Sequence, residues 1–161
     1  MTALLSFDPD QAQPLFDLVV ATLWADGEVA DREIAAARGA QLALGLVHPG
    51  DGAEISIARG PCDRWRTLVR GSERERVIAY AAAVWTALAD GRIDPGEARF
   101  LREVRVVLAL DDAAVRFADG LARYVDAAAR DEALPHHRAF AQLLLTGARR
   151  VERVRARRAA A

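Results

Sequence analysis

The length, composition and charge of this chain restrict the classes of protein to which it can belong. Its 161 residues are 52% apolar, which suits one folded domain with a buried core and excludes a disordered chain. The net charge of −1 argues against a nucleic-acid partner, and a single cysteine, Cys62, excludes an internal disulfide. The chain has no apolar run of about 18 residues. Its first residues lack the pattern of a secretion signal, so we expect a cytoplasmic protein.

The first part of the chain predicts two helices and an irregular connector. Apolar residues follow helical spacing over residues 9–25, where Pro14 is expected to break off a short first turn. A second helix is expected over residues 30–44, before a glycine that would stop it. Residues 46–61 have no helical period and predict an irregular connector. Within that connector, residues 54–57 alternate in polarity and fit a short extended segment on the surface.

The rest of the chain predicts further helices. A brief helix is expected at residues 63–69, and a capping box of Ser72 and Glu75 begins a helix that reaches residue 89. Two more helices are expected over residues 94–110 and 111–130, and a last one follows a proline at 135. The inward face of this last helix is expected to carry Phe140, Leu143, Leu144, Gly147, Val151 and Val154. These elements predict an all-α bundle of six or seven helices within a single domain, residues 1–161.

The strongest signal in the sequence is an internal repeat at an offset of 64 residues, from Asp26 to Asp90. Both loops read D-G-x-[V/I]-x-x-x-E, and each lies between two amphipathic helices. The two units cover about residues 12–46 and 72–110, with a connector over 46–71 and C-terminal helices over 112–161. Repeated units of this kind usually pack so that each covers the apolar face of the other. We therefore expect the two loops to lie next to each other.

The simplest interpretation of each loop is that it ends one helix and begins the next. Gly27 and Gly91 would take the left-handed conformation that stops a helix. Glu33 and Glu97 would occupy the third position of the following helix, where a carboxylate accepts free backbone N–H groups. Asp94 would cap the second of these helices.

A second interpretation is a site for a hard divalent cation. The loop pattern matches the back half of the EF-hand calcium loop, but the acidic residues of the front half are missing. Calcium takes about six to eight oxygen ligands, so backbone carbonyls or the other loop would have to contribute. The candidate metal ligands are Asp26, Glu28, Asp31, Glu33, Asp90, Asp94 and Glu97. We expect at most one such ion, near the first loop, because Arg92 would supply a counter-charge at the second.

The two loops also resemble a known family. The residues WADGEV at 24–29 followed by Glu33, and ALADGRI at 87–93 followed by Glu97, are similar to the signature of the TerB-like tellurite-resistance domain. The similarity extends over roughly residues 12–130. It implies a helical bundle with pseudo-twofold helix pairs, acidic loop residues suggested to bind a metal ion, and a role in stress response beside partner proteins. Ala30 and Arg92 depart from the pattern, which usually has a small polar cap and an acid there.

Within that family the corresponding metal ligands would be the acids that match the two motifs. These are Asp26, Glu28 and Glu33 in the first motif and Asp90 and Glu97 in the second.

The function expected from the sequence is a non-enzymatic TerB-like module that binds one divalent cation, a protein partner, or both through its acidic loops. The alternative is a protein–protein scaffold whose acidic loop residues only cap helices. A hydrolase with an Asp/Glu pair is the third interpretation, but no nucleophile motif or phosphate-binding loop accompanies the pairs, so no catalytic residue is assigned. The arginine-rich residues 149–158 could contact an anionic membrane weakly, whereas nucleic acid is not expected as a partner. His136 and His137 are expected to be a surface pair at a helix start rather than metal ligands.

Overall fold

A computed structural model describes residues 9–46, residue 57 and residues 60–160 of the chain. These parts contain helices and no strands, which confirms the predicted all-α bundle of six to seven helices. The helices are α1 (Pro9–Leu23), α2 (Asp31–Ala43), a 3₁₀ helix (Asp63–Arg70), α3 (Glu73–Ala87), α4 (Pro95–Val107), α5 (Asp112–Asp131) and α6 (His136–Ala159). No helix among the described residues is both long enough and apolar enough to cross a bilayer.

Helix α3 forms the centre of the bundle. Every residue from Val77 to Ala87 is buried, and the helix contacts the five other α-helices and the 3₁₀ helix. Many of these buried residues are alanines, whose short side chains allow neighbouring helices to approach closely. Ile78 and Trp85 fill the wider spaces, and each such large side chain stabilises the core by about 1.5–3 kcal/mol.

The internal repeat is also present in three dimensions. Helices α1 and α3 have the same length and begin 64 residues apart, as do α2 and α4. The hydroxyl groups of Thr22 and Thr86, which are equivalent in the repeat, each donate to the carbonyl four residues earlier at 2.8 Å. After α2 and α4, Gly45 and Ala109 both take the left-handed conformation, with φ of +70° and +51°. The equivalence therefore extends beyond the loop motif to the ends of the helices.

One prediction about α1 is wrong. Pro14 does not break the helix, which continues from Pro9 to Leu23 with the proline inside it. Proline removes one backbone hydrogen bond and crowds the preceding turn. Here the residues that follow the proline, Leu15 and Phe16, are completely or almost completely buried, so their packing offsets that cost.

One further sequence prediction differs from the structure, and another lies mostly outside the described residues. Val154 was expected to face inward, but it is 40% exposed because α6 continues beyond the bundle core after Val151. The predicted extended segment at residues 54–57 lies outside the described residues except for Ile57. That residue is buried, and its carbonyl accepts a hydrogen bond from Nε1 of Trp24 at 3.2 Å, so this end of the segment does not lie on the surface.

Candidate functional site

The first acidic loop connects α1 to α2 through a turn made by its own side chains. Gly27 has a φ of +85°, as expected for a residue that ends a helix. The Oδ1 atom of Asp26 accepts a hydrogen bond from the N–H of Glu28 at 2.9 Å. Glu33 reaches back from the first turn of α2, and its Oε2 atom accepts the N–H of Ala30 at 2.6 Å. Ala30 itself provides no side-chain cap.

The second loop repeats this geometry with a complete cap. Gly91 has a φ of +100°, and Oδ1 of Asp90 accepts the N–H of Arg92 at 3.0 Å. Asp94 and Glu97 form a reciprocal capping box: each side chain accepts the backbone N–H of the other residue at 2.9 Å. The predicted conformation of both glycines and the predicted cap at Asp94 are confirmed.

The two loops touch each other, as the repeat predicts. A Cβ atom placed on Gly96 would lie 3.0 Å from the carbonyl oxygen of Ala25 and 3.0 Å from Cα of Asp26, so only glycine fits this approach without a shift. The pKa of Asp94 is lowered, first by the hydrogen bond from the N–H of Glu97, and the side chain of Asp26 in the first loop also contributes.

The two glutamates of the loops are buried where the repeats meet. Glu33 is 7% exposed and Glu97 is 4% exposed. Burial raises the pKa of Glu97 to about 7, and the negative charges of Asp94, Glu33 and Asp90 contribute to the rise. Burial likewise raises the pKa of Glu33, with contributions from Asp26, Asp90 and Asp94. The joint between the loops thus concentrates negative charge in a partly dry environment.

Two arginines act on the second loop, and the sequence identified only one of them. Arg92 is exposed, and its positive charge is among the causes that lower the pKa of Asp94. Arg130 reaches the loop from α5: its Nη2 donates to the carbonyl of Leu88 at 2.9 Å, and its Nε donates to Asp126 at 3.0 Å. The pairing with Asp126 follows from the spacing of four residues along a helix. The contact with Leu88 joins residues far apart in the chain and leaves no local signal.

The seven candidate metal ligands do not form a ready-made site. The structure brings Asp26, Glu33, Asp90, Asp94 and Glu97 together at the joint between the loops. Glu28 and Asp31 are instead exposed to solvent. Throughout residues 9–46, 57 and 60–160, no group of three or more His, Cys, Asp or Glu side chains has an arrangement that could hold a metal ion.

The fold and its loops define the class of this protein as an all-α bundle built on two equivalent helix–loop–helix units. Comparisons of the chain with models of protein families, with curated proteins and with solved structures gave no match. The resemblance of the loop sequences to the TerB-like domain therefore stays a prediction.

Proposed function

We propose that this protein is a non-enzymatic interaction scaffold that binds an acidic amphipathic helix of a partner protein. In this proposal the acidic loops hold the two repeats together, and the partner binds elsewhere. The observation that carries the proposal is an apolar groove with an arginine rim between α5 and α6.

The hydrogen bonds of the loops support a structural role for their acids. Each of Asp26, Glu33, Asp90, Asp94 and Glu97 accepts a backbone N–H group of its own loop. These bonds satisfy N–H groups that the start of a helix or a tight turn would otherwise leave without a partner. Each acid is thus held in place through one of its carboxylate oxygens, and Glu33 and Glu97 are also buried, so the loops are less suited to a partner than the exposed surfaces of the helices.

The groove consists of two adjoining hollows of about 170 and 230 Å³. Phe117 of α5 and Val154 of α6 line both of them, and Val77 of α3 and Val151 of α6 line the hollow of about 170 Å³. Val154 is 40% exposed, so part of this apolar surface faces water. A groove of this kind between helices can take the apolar face of another helix.

The charges at the rim of the groove differ between its two ends, and Glu73 and Asp111 line the hollow of about 170 Å³. Arg150, Arg153 and Arg157 line one end, and among the described residues no carboxylate lies within ion-pair distance of any of the three. Arg150 instead lies over the ring of Tyr124, 4.8 Å from its centroid, which holds the guanidinium group at the surface. Arginine and aromatic residues are enriched in protein interfaces. A helix with leucines on one face would match the apolar floor, and glutamates on its other face would match the arginine end of the rim.

The test uses two synthetic helical peptides with the same leucine face, one with glutamate and one with lysine on the polar face. We expect the glutamate peptide to bind and the binding to weaken with salt, since the rim contributes by electrostatic attraction. The double variant Arg153→Gln/Arg157→Gln should lose at least about tenfold in affinity. The matched control is Arg99→Gln/Arg102→Gln on α4. Equal binding of both peptides would contradict the proposal, and so would binding only to vesicles of anionic lipid.

A divalent cation at the joint between the loops is the second candidate function. The observation in its favour is the burial of Glu97 beside other carboxylates, which raises its pKa to about 7. A cation would relieve the repulsion between these negative charges. The test compares thermal melts with and without millimolar Ca²⁺, Mg²⁺, Mn²⁺ or Zn²⁺, in wild type and in Asp26→Ala/Glu33→Ala. Stabilisation of wild type alone would favour the cation. If the cations stabilise neither protein, the cation proposal fails and the interaction scaffold remains the proposed function.

The resemblance of the loop sequences supports a place for this scaffold in the cytoplasm, in a stress response such as resistance to tellurite. This part of the proposal is tested by growth on tellurite of cells with and without the gene. Equal growth of the two would contradict it.

A further inference from the structure

A second cavity lies on the side of the bundle where α2, α5 and α6 meet the end of α3. Its volume is about 350 Å³, which is within the range of small-molecule sites. The side chains that give it chemical character are Arg32 of α2, Trp85 of α3, Asp126 and Arg130 of α5, and His136 of α6. We call it the arginine cleft.

The rest of the wall of the arginine cleft is apolar. Ala89, Ala129 and Ala139 contribute short side chains, which leave the space open between helices that are otherwise in contact. Trp85 is 4% exposed, and its ring packs edge to face on Phe140 and on His136. A ligand in this cleft would therefore meet short apolar side chains beside the charged ones, which leaves room for a compact apolar group.

The charged groups of the cleft leave one positive charge uncompensated. Nε of Arg130 is paired with Asp126 at 3.0 Å and its Nη2 is bound to the carbonyl of Leu88, so the guanidinium group is held in place. Arg32 is exposed, and within the part of the chain that the structure describes no carboxylate lies within ion-pair distance of it. Two guanidinium groups in one pocket are well suited to a carboxylate, which can accept bonds from both.

The start of α6 adds to this preference for an anion. His136 is its first residue, Pro135 provides no side-chain cap, and the first turn contains no acid. The positive end of the helix is thus not compensated by its own sequence. Burial lowers the pKa of His136 and so favours the uncharged imidazole, which offers a hydrogen bond, while the charge of Asp126 acts in the opposite direction.

We propose that the arginine cleft binds a small organic monocarboxylate with a compact apolar body. The carboxylate lies between Arg32 and Arg130, and the apolar body lies on the alanines and against Trp85. A single negative charge matches the one uncompensated positive charge. This site is separate from the α5–α6 groove and adjoins the second acidic loop through Arg130, and it does not depend on the function proposed for either.

The test is an NMR titration of the tryptophan indole N–H signals with benzoate, and with benzamide as a neutral ligand of the same shape. We expect benzoate to shift the Trp85 signal in a saturable way at millimolar concentration, while the Trp24 signal, whose N–H is bound to Ile57, stays in place. Benzamide should shift the Trp85 signal much less. Arg32→Gln should weaken benzoate binding at least about tenfold. Because Arg32 is exposed and unpaired, this variant should melt as wild type does.

Two further variants separate the cleft from general attraction of anions. Ala129→Leu keeps both arginines and fills the space, so it should also abolish binding. Arg102→Gln, which removes an exposed arginine of α4, should leave binding unchanged. The proposal is overturned if benzoate leaves the Trp85 signal unmoved or if benzamide binds equally well. It is also overturned if Ala129→Leu still binds benzoate or if Arg102→Gln weakens binding as much as Arg32→Gln does.

Discussion

Glu33 and Glu97 occupy the same position in the two repeats and make the same hydrogen bond, in which each accepts the N–H of the residue three positions earlier. They differ in whether the side chain of that earlier residue accepts the N–H of the glutamate in turn. Asp94 accepts the N–H of Glu97 at 2.9 Å, whereas Ala30 has no side-chain oxygen to accept the N–H of Glu33. The second repeat thus has a complete capping box and the first has half of one.

This difference predicts opposite effects of two matched substitutions. Asp94→Ala should lower the free energy of unfolding by about 0.5–2 kcal/mol, since it removes the cap of α4. Ala30→Ser should raise it by about 1 kcal/mol, because Ala30 is exposed and a serine there would complete the capping box of α2. Urea denaturation measures both changes. A loss of stability in Ala30→Ser would show that a serine at this position does not complete the capping box of α2.

The burial of Glu97 predicts that stability depends on pH. Its pKa is raised from 4.5 to about 7, so the folded state holds the proton more tightly than the unfolded state. This contribution to stability is complete below about pH 4.5 and is lost as the pH rises through about 7. Glu97→Gln keeps an acceptor for the N–H of Asp94 and removes the charge. At about pH 8 it should stabilise the fold by on the order of 1–3 kcal/mol.

The measurement is the difference in unfolding free energy between wild type and Glu97→Gln at about pH 5 and about pH 8. That difference should increase with pH. Glu28→Gln is the control, because it removes an exposed carboxylate of the same motif. If both variants change stability equally at the two values of pH, burial of Glu97 is not the cause.

The close contact between the loops predicts different effects of alanine at two glycines. Gly96→Ala should destabilise by about 1–3 kcal/mol, because its Cβ would lie 3.0 Å from backbone atoms of Ala25 and Asp26. Gly120→Ala in α5 should stabilise by about 0.5–1 kcal/mol, because nothing lies within 4 Å of the new Cβ and alanine favours a helix. Thermal melts distinguish the two. A neutral Gly96→Ala would mean that the loops are not in firm contact.

The parts of the structure that were predicted from the sequence depend on local interactions. The turns at Gly27 and Gly91 and the capping box of Asp94 and Glu97 involve only residues within one helical turn. Their sequence patterns are therefore enough to predict them. The contact between the two loops is not local, but the internal repeat was sufficient to predict it.

The features that could not be predicted depend on distant parts of the chain. Pro14 stays inside α1 because the residues that follow it are buried in the core. Val154 is exposed because α6 extends beyond the core. Arg130 reaches the carbonyl of Leu88 through the packing of α5 on α3. The raised pKa of Glu97 depends on burial that no spacing reveals.

Deletion of the end of α6 should affect peptide binding without affecting the stability of the fold. Residues 153–159 continue the helix, but those with described side chains are exposed, whereas the preceding Val151 is buried. Removing residues 153–161 should therefore leave the bundle folded, with the free energy of unfolding changed by less than about 1 kcal/mol. The deletion also removes Arg153, Val154 and Arg157 from the α5–α6 groove. The truncated protein should then melt almost as wild type does but no longer bind the glutamate peptide. A sharply lower melting temperature would show that this segment is part of the core, and unchanged peptide binding would place the partner surface elsewhere.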